Sequence, residues 1–406
     1  MNKPIAILCI FLTSIVSSAQ AEDPQIDPVL EGKPISKWLK DLHSDDNPTH
    51  NRADKVLERA STNKKLVPSL CKVIHHSDKE VRILAIELIS SIGEEAKETV
   101  PELVAALSDD KPRLRGVAAD ALGGMGEAAY QQVPTLVKML RDERANPTAV
   151  RTLIARGLGR VGPQAKEAVP ALIAILDIDI RSKSNSPEEG PELRATAAES
   201  LGKIGPDAVK AVPILCKLLS DSNRNPAVRI SCAEALGNIG PAAENGLLVL
   251  IASLKEPSED LRAASAEAIG KFGEKAKAAV PRLQDLLEDK NAEVRAAAAE
   301  SLGQIGEEAE PAVPSLVKLV KDKQVHVRLS AVEALGAIGK NPSVAVPALM
   351  DALKDMDGDV RMSALEGLAD FGPEAKAAVP MVQILLQDPK NSIREQAGET
   401  LAKIKG

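Results

Sequence analysis

A repeated arginine divides most of this chain into segments of nearly equal length. Each of these arginines follows an apolar residue, and the motif Gly-x-(apolar)-Gly lies downstream of most of them. The intervals between them are 33, 36, 43 and 35 residues and then 33 residues five times. A fixed period of this size is typical of arrays in which one small unit is stacked on the next. The ten positions are Arg82, Arg115, Arg151, Arg194, Arg229, Arg262, Arg295, Arg328, Arg361 and Arg394.

Each repeat divides into two halves with helical patterns. The first half opens with Val-Pro in most repeats, as at Pro68, and proline suits the first turn of a helix, where no partner for its nitrogen is needed. The second half begins near the arginine. Seven positions after the arginine stands Leu or Ile in all ten repeats, and eleven positions after it stands Gly in nine, which favours a helix end there. The pattern predicts two helices per repeat.

Aromatic residues make up only 1 % of the chain, so Ala, Leu, Val and Ile must form the core. Small residues let neighbouring helices approach closely, and paired helices bury their apolar faces only when the pairs are stacked. We therefore predict an all-α fold, an α–α superhelix of the solenoid type. It contains ten two-helix repeats over 67–406 and a capping pair over 36–61, in which Trp38 and Arg52 mark the two helices.

The N-terminus has the three parts of an export signal. Lys3 precedes an apolar stretch from Ile5 to Val16, and Ala19-Gln20-Ala21 places small residues where a signal peptidase cleaves. We predict a signal peptide over 1–21, cleavage after Ala21, a linker over 22–35, and a periplasmic or secreted protein. An uncleaved anchor is the alternative, and no later stretch reaches the length of a membrane span.

The motif of the second half resembles that of HEAT repeats, most closely the HEAT-like repeats named after phycobilisome lyases. Residues 291–306, Asn-Ala-Glu-Val-Arg-Ala-Ala-Ala-Ala-Glu-Ser-Leu-Gly-Gln-Ile-Gly, carry it almost complete, and the similarity covers about 67–406. Residues 32–39 are also similar to the start of exported bacterial HEAT-repeat proteins. The resemblance implies a helical solenoid, and by itself it implies little about function.

Enzymes of the wider family provide tests of catalysis. Bilin lyases act inside cells that contain phycobilisomes, which does not suit an exported chain. HEAT-type di-iron hydroxylases carry His-Glu pairs, whereas none of the five histidines here is followed by Glu. HEAT-type DNA glycosylases use aromatic residues, which are rare here. The sequence therefore predicts a protein that is not an enzyme and carries no cofactor or metal.

The arginine column allows two interpretations, an anion-binding ladder or internal pairing with an acidic residue of the inter-helix turn or of the adjacent repeat. An aspartate stands six residues before five of the arginines, at positions 109, 289, 322, 355 and 388, which favours internal pairing. We assign a structural ladder to Arg82, Arg115, Arg194, Arg229, Arg262, Arg295, Arg328, Arg361 and Arg394.

A column of acidic residues stands five positions after the arginine in nine repeats. Such a column can bind a basic protein segment or divalent cations, and the alternative is a solvated stripe paired with nearby bases. Calcium ligands usually come from one loop, and these residues do not. The column comprises Glu87, Asp120, Glu199, Glu234, Glu267, Glu300, Glu333, Glu366 and Glu399.

The third repeat departs from this column because Arg156 replaces the acidic residue. Repeats three, four and five also carry 3, 10 and 2 extra residues between their helices, and insertions on one side of a solenoid often mark a binding face. We expect the inner face of repeats three and four to bind an acidic partner or an anionic glycan; a neutral insertion is the alternative. The candidate partner-binding residues are Arg151, Arg156, Arg160, Arg181, Lys183, Glu199, Glu234 and Glu267.

The net charge of −7 argues against nucleic acid as a general partner. The sequence favours a non-catalytic scaffold that binds a protein on the concave face of the solenoid. The alternatives are an accessory or enzyme-like protein with a small-molecule pocket at the insertions of repeats three to five, and a polyanion binder that uses the arginines of the third repeat. Of the cysteines, Cys216 and Cys232 fall on the two helices of one repeat and can form a disulfide, or they can be small buried residues.

Overall fold

The computed structural model describes residues 29–42, 46–181 and 190–406. The chain divides into two compact units, residues 1–204 and 205–406, called here the N-terminal and C-terminal units. The predicted signal peptide lies outside the described residues, as does Lys183, and the side chain of Arg181 is not described. Both units consist of stacked antiparallel helix pairs. The all-α fold class and the ten repeats with an N-terminal pair are confirmed.

In the N-terminal unit, one helix pair precedes the first four repeats. Its helices are α1 Ile35–Leu42, α2 Asn47–Ala60, α3 Val67–Val73, α4 Lys79–Ile92, α5 Val100–Ala106, α6 Pro112–Gly123, α7 Val133–Arg141, α8 Thr148–Val161, α9 Val169–Arg181 and α10 Pro191–Ile204.

The C-terminal unit contains the remaining six repeats. Its helices are α11 Val212–Ser220, α12 Pro226–Ile239, α13 Leu247–Ser253, α14 Glu259–Gly270, α15 Val280–Leu286, α16 Ala292–Ile305, α17 Val313–Leu319, α18 Val325–Ile338, α19 Pro342–Ala352, α20 Gly358–Phe371, α21 Val379–Leu385 and α22 Asn391–Lys405.

Short 3-10 helices join most repeats, and sequence analysis did not predict them. Each begins at a glycine of positive φ, such as Gly93 (φ 70°), which other residues adopt only with strain. An alanine three residues later is fully buried, as Ala96 is. The signal was therefore present as Gly-x-x-Ala. They are Gly93–Thr99, Gly126–Gln132, Gly162–Ala168, Gly205–Ala211, Gly240–Gly246, Gly273–Ala279, Gly306–Ala312 and Gly372–Ala378, and Lys64–Leu66 precedes the first repeat.

The second helices of successive repeats pack directly on one another, as α6 does on α8 and α16 on α18. Glycine permits the closest approaches. A Cβ atom added at Gly123 would lie 2.7 Å from the Cα of Gly157, and one at Gly237 would lie 2.6 Å from the Cα of Ala268. The small residues of the repeat thus bring the helix backbones together, and leucines such as Leu302 fill the core.

A short β-hairpin precedes the first helix pair, within the segment expected to be a linker. Strand β1 (Val29–Leu30) pairs antiparallel with β2 (Lys33–Pro34). The indole nitrogen of Trp38 donates to the carbonyl oxygen of Leu30 at 2.8 Å, and the Trp38 side chain is buried. This contact ties the end of the expected linker to the capping pair.

Among the described residues, one stretch is long and apolar enough to be considered as a membrane span, Pro226–Ser253. It comprises α12, a 3-10 turn and α13, and half of it is buried inside the fold. Gly240, at φ 67°, separates the two helices. The apolar residues of Pro226–Ser253 are accounted for by their packing in the core of the C-terminal unit.

Candidate functional site

The predicted arginine ladder joins neighbouring repeats at six places in the described residues. Six arginines pair with a carboxylate 27 residues further along, which belongs to the turn of the following repeat. Sequence analysis left open whether the acidic partner belongs to the same repeat or to the adjacent one, and the structure shows the adjacent one for these six. The pairs are Arg82–Asp109, Arg229–Glu256, Arg262–Asp289, Arg295–Asp322, Arg328–Asp355 and Arg361–Asp388.

Most of these contacts are bidentate and shielded from water. Arg328 donates from Nε to Asp355 Oδ2 at 2.7 Å and from Nη2 to Oδ1 at 2.9 Å, and its Nη1 reaches the carbonyl oxygen of Asp322 at 3.0 Å. The hydrogen bond from Arg328 is the main reason why the pKa of Asp355 lies below its usual value, although burial opposes it. The ladder arginines therefore act inside the array and are not available to an anionic ligand.

Other arginines of the column use different acceptors. Arg115 donates to Asn146 Oδ1 at 3.1 Å and to the carbonyl oxygen of Ala145, in the lengthened turn of the third repeat. Arg394 donates to the carbonyl oxygen of Asp388 at 2.7 Å, within its own repeat. Arg194 lies on α10 and interacts with another part of the protein.

Arg151, proposed from sequence as a partner-binding residue, is buried with a relative exposure of 4 %. Its Nε donates to the carbonyl oxygen of Leu140 at 3.0 Å, and its Nη2 lies 3.3 Å from Glu143. This burial corrects the prediction that Arg151 binds a partner. Its guanidinium instead stabilises the turn of its own repeat.

The acidic column of the C-terminal unit lies at the surface. Glu267, Glu300, Glu333, Glu366 and Glu399 are exposed, whereas Glu234 is partly buried and has an interaction partner. The first four stand at the same position on α14, α16, α18 and α20, so each lies beside the next as the helices stack. We call these four residues the acidic stripe.

Carboxylates in the acidic stripe repel one another. Although Glu267 is exposed, the neighbouring helices shield part of its carboxylate from water, and this partial burial is the first cause of its raised pKa; Glu300 adds to it and Lys271 opposes it. The pKa of Glu333 is raised by burial and by Glu300 and Glu366, against a hydrogen bond from Ser363 Oγ at 3.4 Å. Neighbouring carboxylates thus add to the effect of burial at Glu267 and Glu333, and a cation bound beside either residue would relieve this repulsion.

The corresponding face of the N-terminal unit carries mixed charge. Glu87 and Asp120 occupy the acidic positions on α4 and α6, and Arg156 takes that position on α8. Burial raises the pKa of Glu87 to about 7, although Arg113 opposes this. Burial also raises the pKa of Asp120, and Arg160, Arg156 and Lys203 lower it in turn. Glu199, on α10, is partly buried and has an interaction partner.

Arg160 holds three repeats together. Its Nη1 donates to Ser90 Oγ at 2.6 Å, its Nη2 donates to the carbonyl oxygen of Ser90 at 3.1 Å, and Nη1 lies 3.6 Å from Asp120 Oδ2. The path of this side chain runs over Gly124, where a Cβ atom would lie 2.9 Å from Arg160 Cζ. Arg160 was proposed as a partner-binding residue, but most of its donors are already used by the fold.

An open cleft of about 490 Å³ lies where the second helices of the N-terminal unit end. Its walls include Glu94, Tyr130, Arg160 and Lys203, and glycines such as Gly124 form part of its lining. In this unit, the extra residues of repeats three and four come before the starts of the second helices α8 and α10, whereas the cleft lies at the ends of these helices. The cleft is therefore not the pocket that sequence analysis expected at the insertions.

No group of three or more His, Cys, Asp and Glu side chains in the described ranges is placed to hold a metal ion. Cys71, Cys216 and Cys232 are free thiols. The face of the second helices thus offers charge and hydrogen bonds, in the form of the acidic stripe and the mixed cleft.

A sequence model of HEAT repeats matches this chain in overlapping segments that together cover nearly all of it: 35–123, 67–147, 100–183, 186–245, 247–313, 309–369 and 346–406. The chain belongs to the HEAT-repeat family. The family assignment accounts for the stacked helix pairs, and the matched segments include the N-terminal capping pair of this HEAT array. No curated protein matches the whole sequence significantly.

Among solved structures, this HEAT array is similar to importin β crystallised in an ammonium sulfate condition. The TM-score is 0.50 and the identity 16 %, over 91 % of this chain and 55 % of that one. Kap121p bound to Pho4p gives a TM-score of 0.44 and 15 % identity, over 91 % of this chain and 49 % of that one. The chain spans about half the length of these structures, and at such identity the first similarity shows a shared fold alone.

Proposed function

We propose that this HEAT-repeat protein is a non-catalytic scaffold that binds a basic segment of another protein along the acidic stripe. One observation carries the proposal: four exposed carboxylates occupy the same position on four stacked helices, and neighbouring carboxylates raise the pKa values of Glu267 and Glu333 beyond the effect of burial. Complementary charge on a partner would bring the two proteins together and favour one orientation.

The spacing of the stripe suggests the form of the partner. Packed helices lie about 8–10 Å apart, so the carboxylates of neighbouring repeats recur at about that distance. An extended chain advances about 3.3 Å per residue, and every third side chain therefore recurs at about 10 Å. A segment that crosses the helices with Lys or Arg at every third position would place one base beside each of Glu267, Glu300, Glu333 and Glu366.

Fluorescence anisotropy with two labelled peptides of identical composition tests this proposal. One peptide has lysine at every third position, and the other has its lysines adjacent to one another. We expect the first peptide to bind more tightly, and we expect its affinity to fall as salt rises, because exposed charges are screened within about 10 Å at 0.1 M salt. Equal affinity for the two peptides, or no binding of either, would contradict the proposal.

A triple variant supplies the residue-level test. Replacing Glu267, Glu300 and Glu333 by Gln should weaken binding of the spaced peptide at least tenfold. The control is the triple variant Asp285→Asn, Glu288→Gln, Asp351→Asn, whose carboxylates lie on or next to the first helices α15 and α19. Both variants lose the same charge, so an equal loss of binding would show that only net charge matters.

Two alternatives from the sequence have less support. A polyanion site built from the arginines of the third repeat has less support because Arg151 is buried and Arg160 already donates hydrogen bonds to Ser90. A pocket at the insertions depends on residues outside the described ranges. Export to the periplasm or beyond the cell, through the signal over 1–21, remains part of the proposal, and mass spectrometry of the mature N-terminus would test it.

A further inference from the structure

The cleft of the N-terminal unit contains a cation without a direct hydrogen-bonding partner in the described residues. Lys203, on α10, lines the cleft and makes no hydrogen bond or ion pair with any described residue. Arg156 is similarly unpaired in the described ranges and lies one helical turn before Arg160 on α8. Lys203, Arg156 and Arg160 all stand close enough to Asp120 to lower its pKa, against the opposing effect of burial. Arg160 and Lys203 thus line the cleft, and Arg156 adds a third positive charge around Asp120, outside the lining.

The rest of the cleft offers groups suited to hydroxyls. Glu94 supplies an exposed carboxylate, and Tyr130, the single tyrosine of the chain, supplies a ring and a phenol. The glycines of the lining lie at or near helix ends and have no side chain, so a ligand can approach the backbone there. A volume of about 490 Å³ is in the range of small-molecule sites.

We propose that this cleft binds a small sugar acid, that is, a sugar that carries a carboxylate or phosphate group. The anionic group would contact Lys203 and extend toward Arg156. The hydroxyls would donate to Glu94 and to the backbone carbonyl oxygens, and the apolar face of the sugar would lie against the ring of Tyr130. This site is separate from the acidic stripe, which belongs to the C-terminal unit, so either one can fail without the other.

Ligand-observed NMR titration of the full chain tests the proposal with four probes. Glucose is neutral, glucuronate carries a carboxylate, glucose 6-phosphate carries a phosphate, and inorganic phosphate is an anion without hydroxylated carbon. We expect one or both sugar acids to bind at least tenfold more tightly than glucose and than inorganic phosphate. The two sugar acids identify which anionic group is preferred. Equal binding of inorganic phosphate, or no binding of either sugar acid, would overturn the proposal.

Three variants locate the site. Lys203→Glu should weaken sugar-acid binding at least tenfold. Its control is Lys271→Glu, because Lys271 holds the same repeat position, directly after α14, but donates to Asn238 at 2.7 Å and lies outside the cleft. Arg156→Gln removes the charge without placing a second carboxylate beside Asp120, and it should weaken binding several-fold. Tyr130→Ala should weaken binding of the sugar acids but not the residual binding of phosphate. Unchanged affinity in Lys203→Glu, or an equal loss in Lys271→Glu, would overturn the proposal.

Discussion

The guanidinium of Arg160 donates to the carbonyl oxygen of Ser90, 70 residues earlier in the chain, at 3.1 Å. Ser90 lies in the last turn of α4, where carbonyl oxygens have no partner within the helix and a cation is favourable. Arg160 thereby links the first repeat to the third across the second. The contact requires that the second repeat present no side chain in its path, and Gly124 meets that requirement.

Gly123 and Gly124 should respond differently to alanine. A Cβ atom at Gly124 meets the flexible end of Arg160, which can move away and lose its bonds to Ser90, so we expect a loss of about 1 kcal/mol. A Cβ atom at Gly123 meets the backbone of Gly157, so two packed helices must separate, and we expect a loss of about 2 kcal/mol or more. Urea denaturation of both variants measures the difference.

Gly398 supplies the control for this pair. It lies on α22, is exposed, and has no atom within 4 Å of an added Cβ. Gly398→Ala should therefore stabilise the protein by about 0.5–1 kcal/mol, because alanine is the better helix former. A Gly123→Ala variant as stable as the wild type would contradict the close helix approach described above.

Asp355→Asn should destabilise the array at neutral pH. The variant leaves Arg328 without its charged partner in a mostly buried pair, and we expect a loss of about 2–3 kcal/mol at pH 7. The folded-state pKa of Asp355 is depressed, so its contribution is present above the unfolded value of about 3.9 and is lost as pH falls through the folded value. The difference between variant and wild type should therefore shrink below pH 4.

Asp359, in the same repeat, provides a matched comparison. Its side chain is exposed and lies 3.5 Å from Lys390. Exposed pairs contribute little, so Asp359→Asn should change the free energy of unfolding by less than about 0.5 kcal/mol. Equal losses in the two variants at pH 7 would show that the ladder carries no special stability.

Glu87→Gln should stabilise the N-terminal unit at alkaline pH. The folded-state pKa of Glu87 is raised to about 7, mainly by burial, so protonated Glu87 is favoured in the fold. The stabilisation that protonated Glu87 contributes is fully present below the pKa of the unfolded state, and it is lost as pH rises through about 7. Glutamine mimics the protonated form, so the variant should match the wild type near pH 4 and gain up to about 3 kcal/mol at pH 9. A gain that does not depend on pH would contradict this account.

Cys232 should resist thiol reagents while the protein is folded. Burial raises its pKa to about 12, and Cys216 nearby contributes, so the reactive thiolate is scarce. Cys71 and Cys216 are only partly buried and should react with iodoacetamide sooner. Peptide mapping after timed alkylation, with and without guanidinium, gives the order. Early labelling of Cys232 in the native protein would contradict its burial.

The fold was predictable because its signals lie within one repeat. The arginine, the leucine seven residues later and the glycine stop recur in register, so two helices per repeat followed from spacing alone. The 3-10 turns have an equally regular signal, the buried alanine at Ala96 and its counterparts. Alanine is also common in the second helices, so this signal does not stand out in the sequence.

The contacts between repeats were harder to predict. Whether Arg328 pairs with Asp322 or Asp355 depends on how neighbouring turns are offset, and both aspartates fit the sequence pattern. The reach of Arg160 to Ser90 depends on a glycine in a third helix. The burial of Arg151 follows from the path of a turn that has extra residues. Each of these contacts depends on distances between helices, and the spacing of residues along one helix does not determine those distances.

The ladder also determines where residues can be inserted. In each of these pairs the carboxylate stands 27 residues after the arginine. A residue added between the two would therefore move the carboxylate out of reach of the guanidinium. Arg115 avoids this constraint by using Asn146 and a backbone oxygen of a longer turn. A grafted loop should therefore be tolerated in the turn of the third repeat, whereas the turns that contain Asp289, Asp322 and Asp355 should reject it.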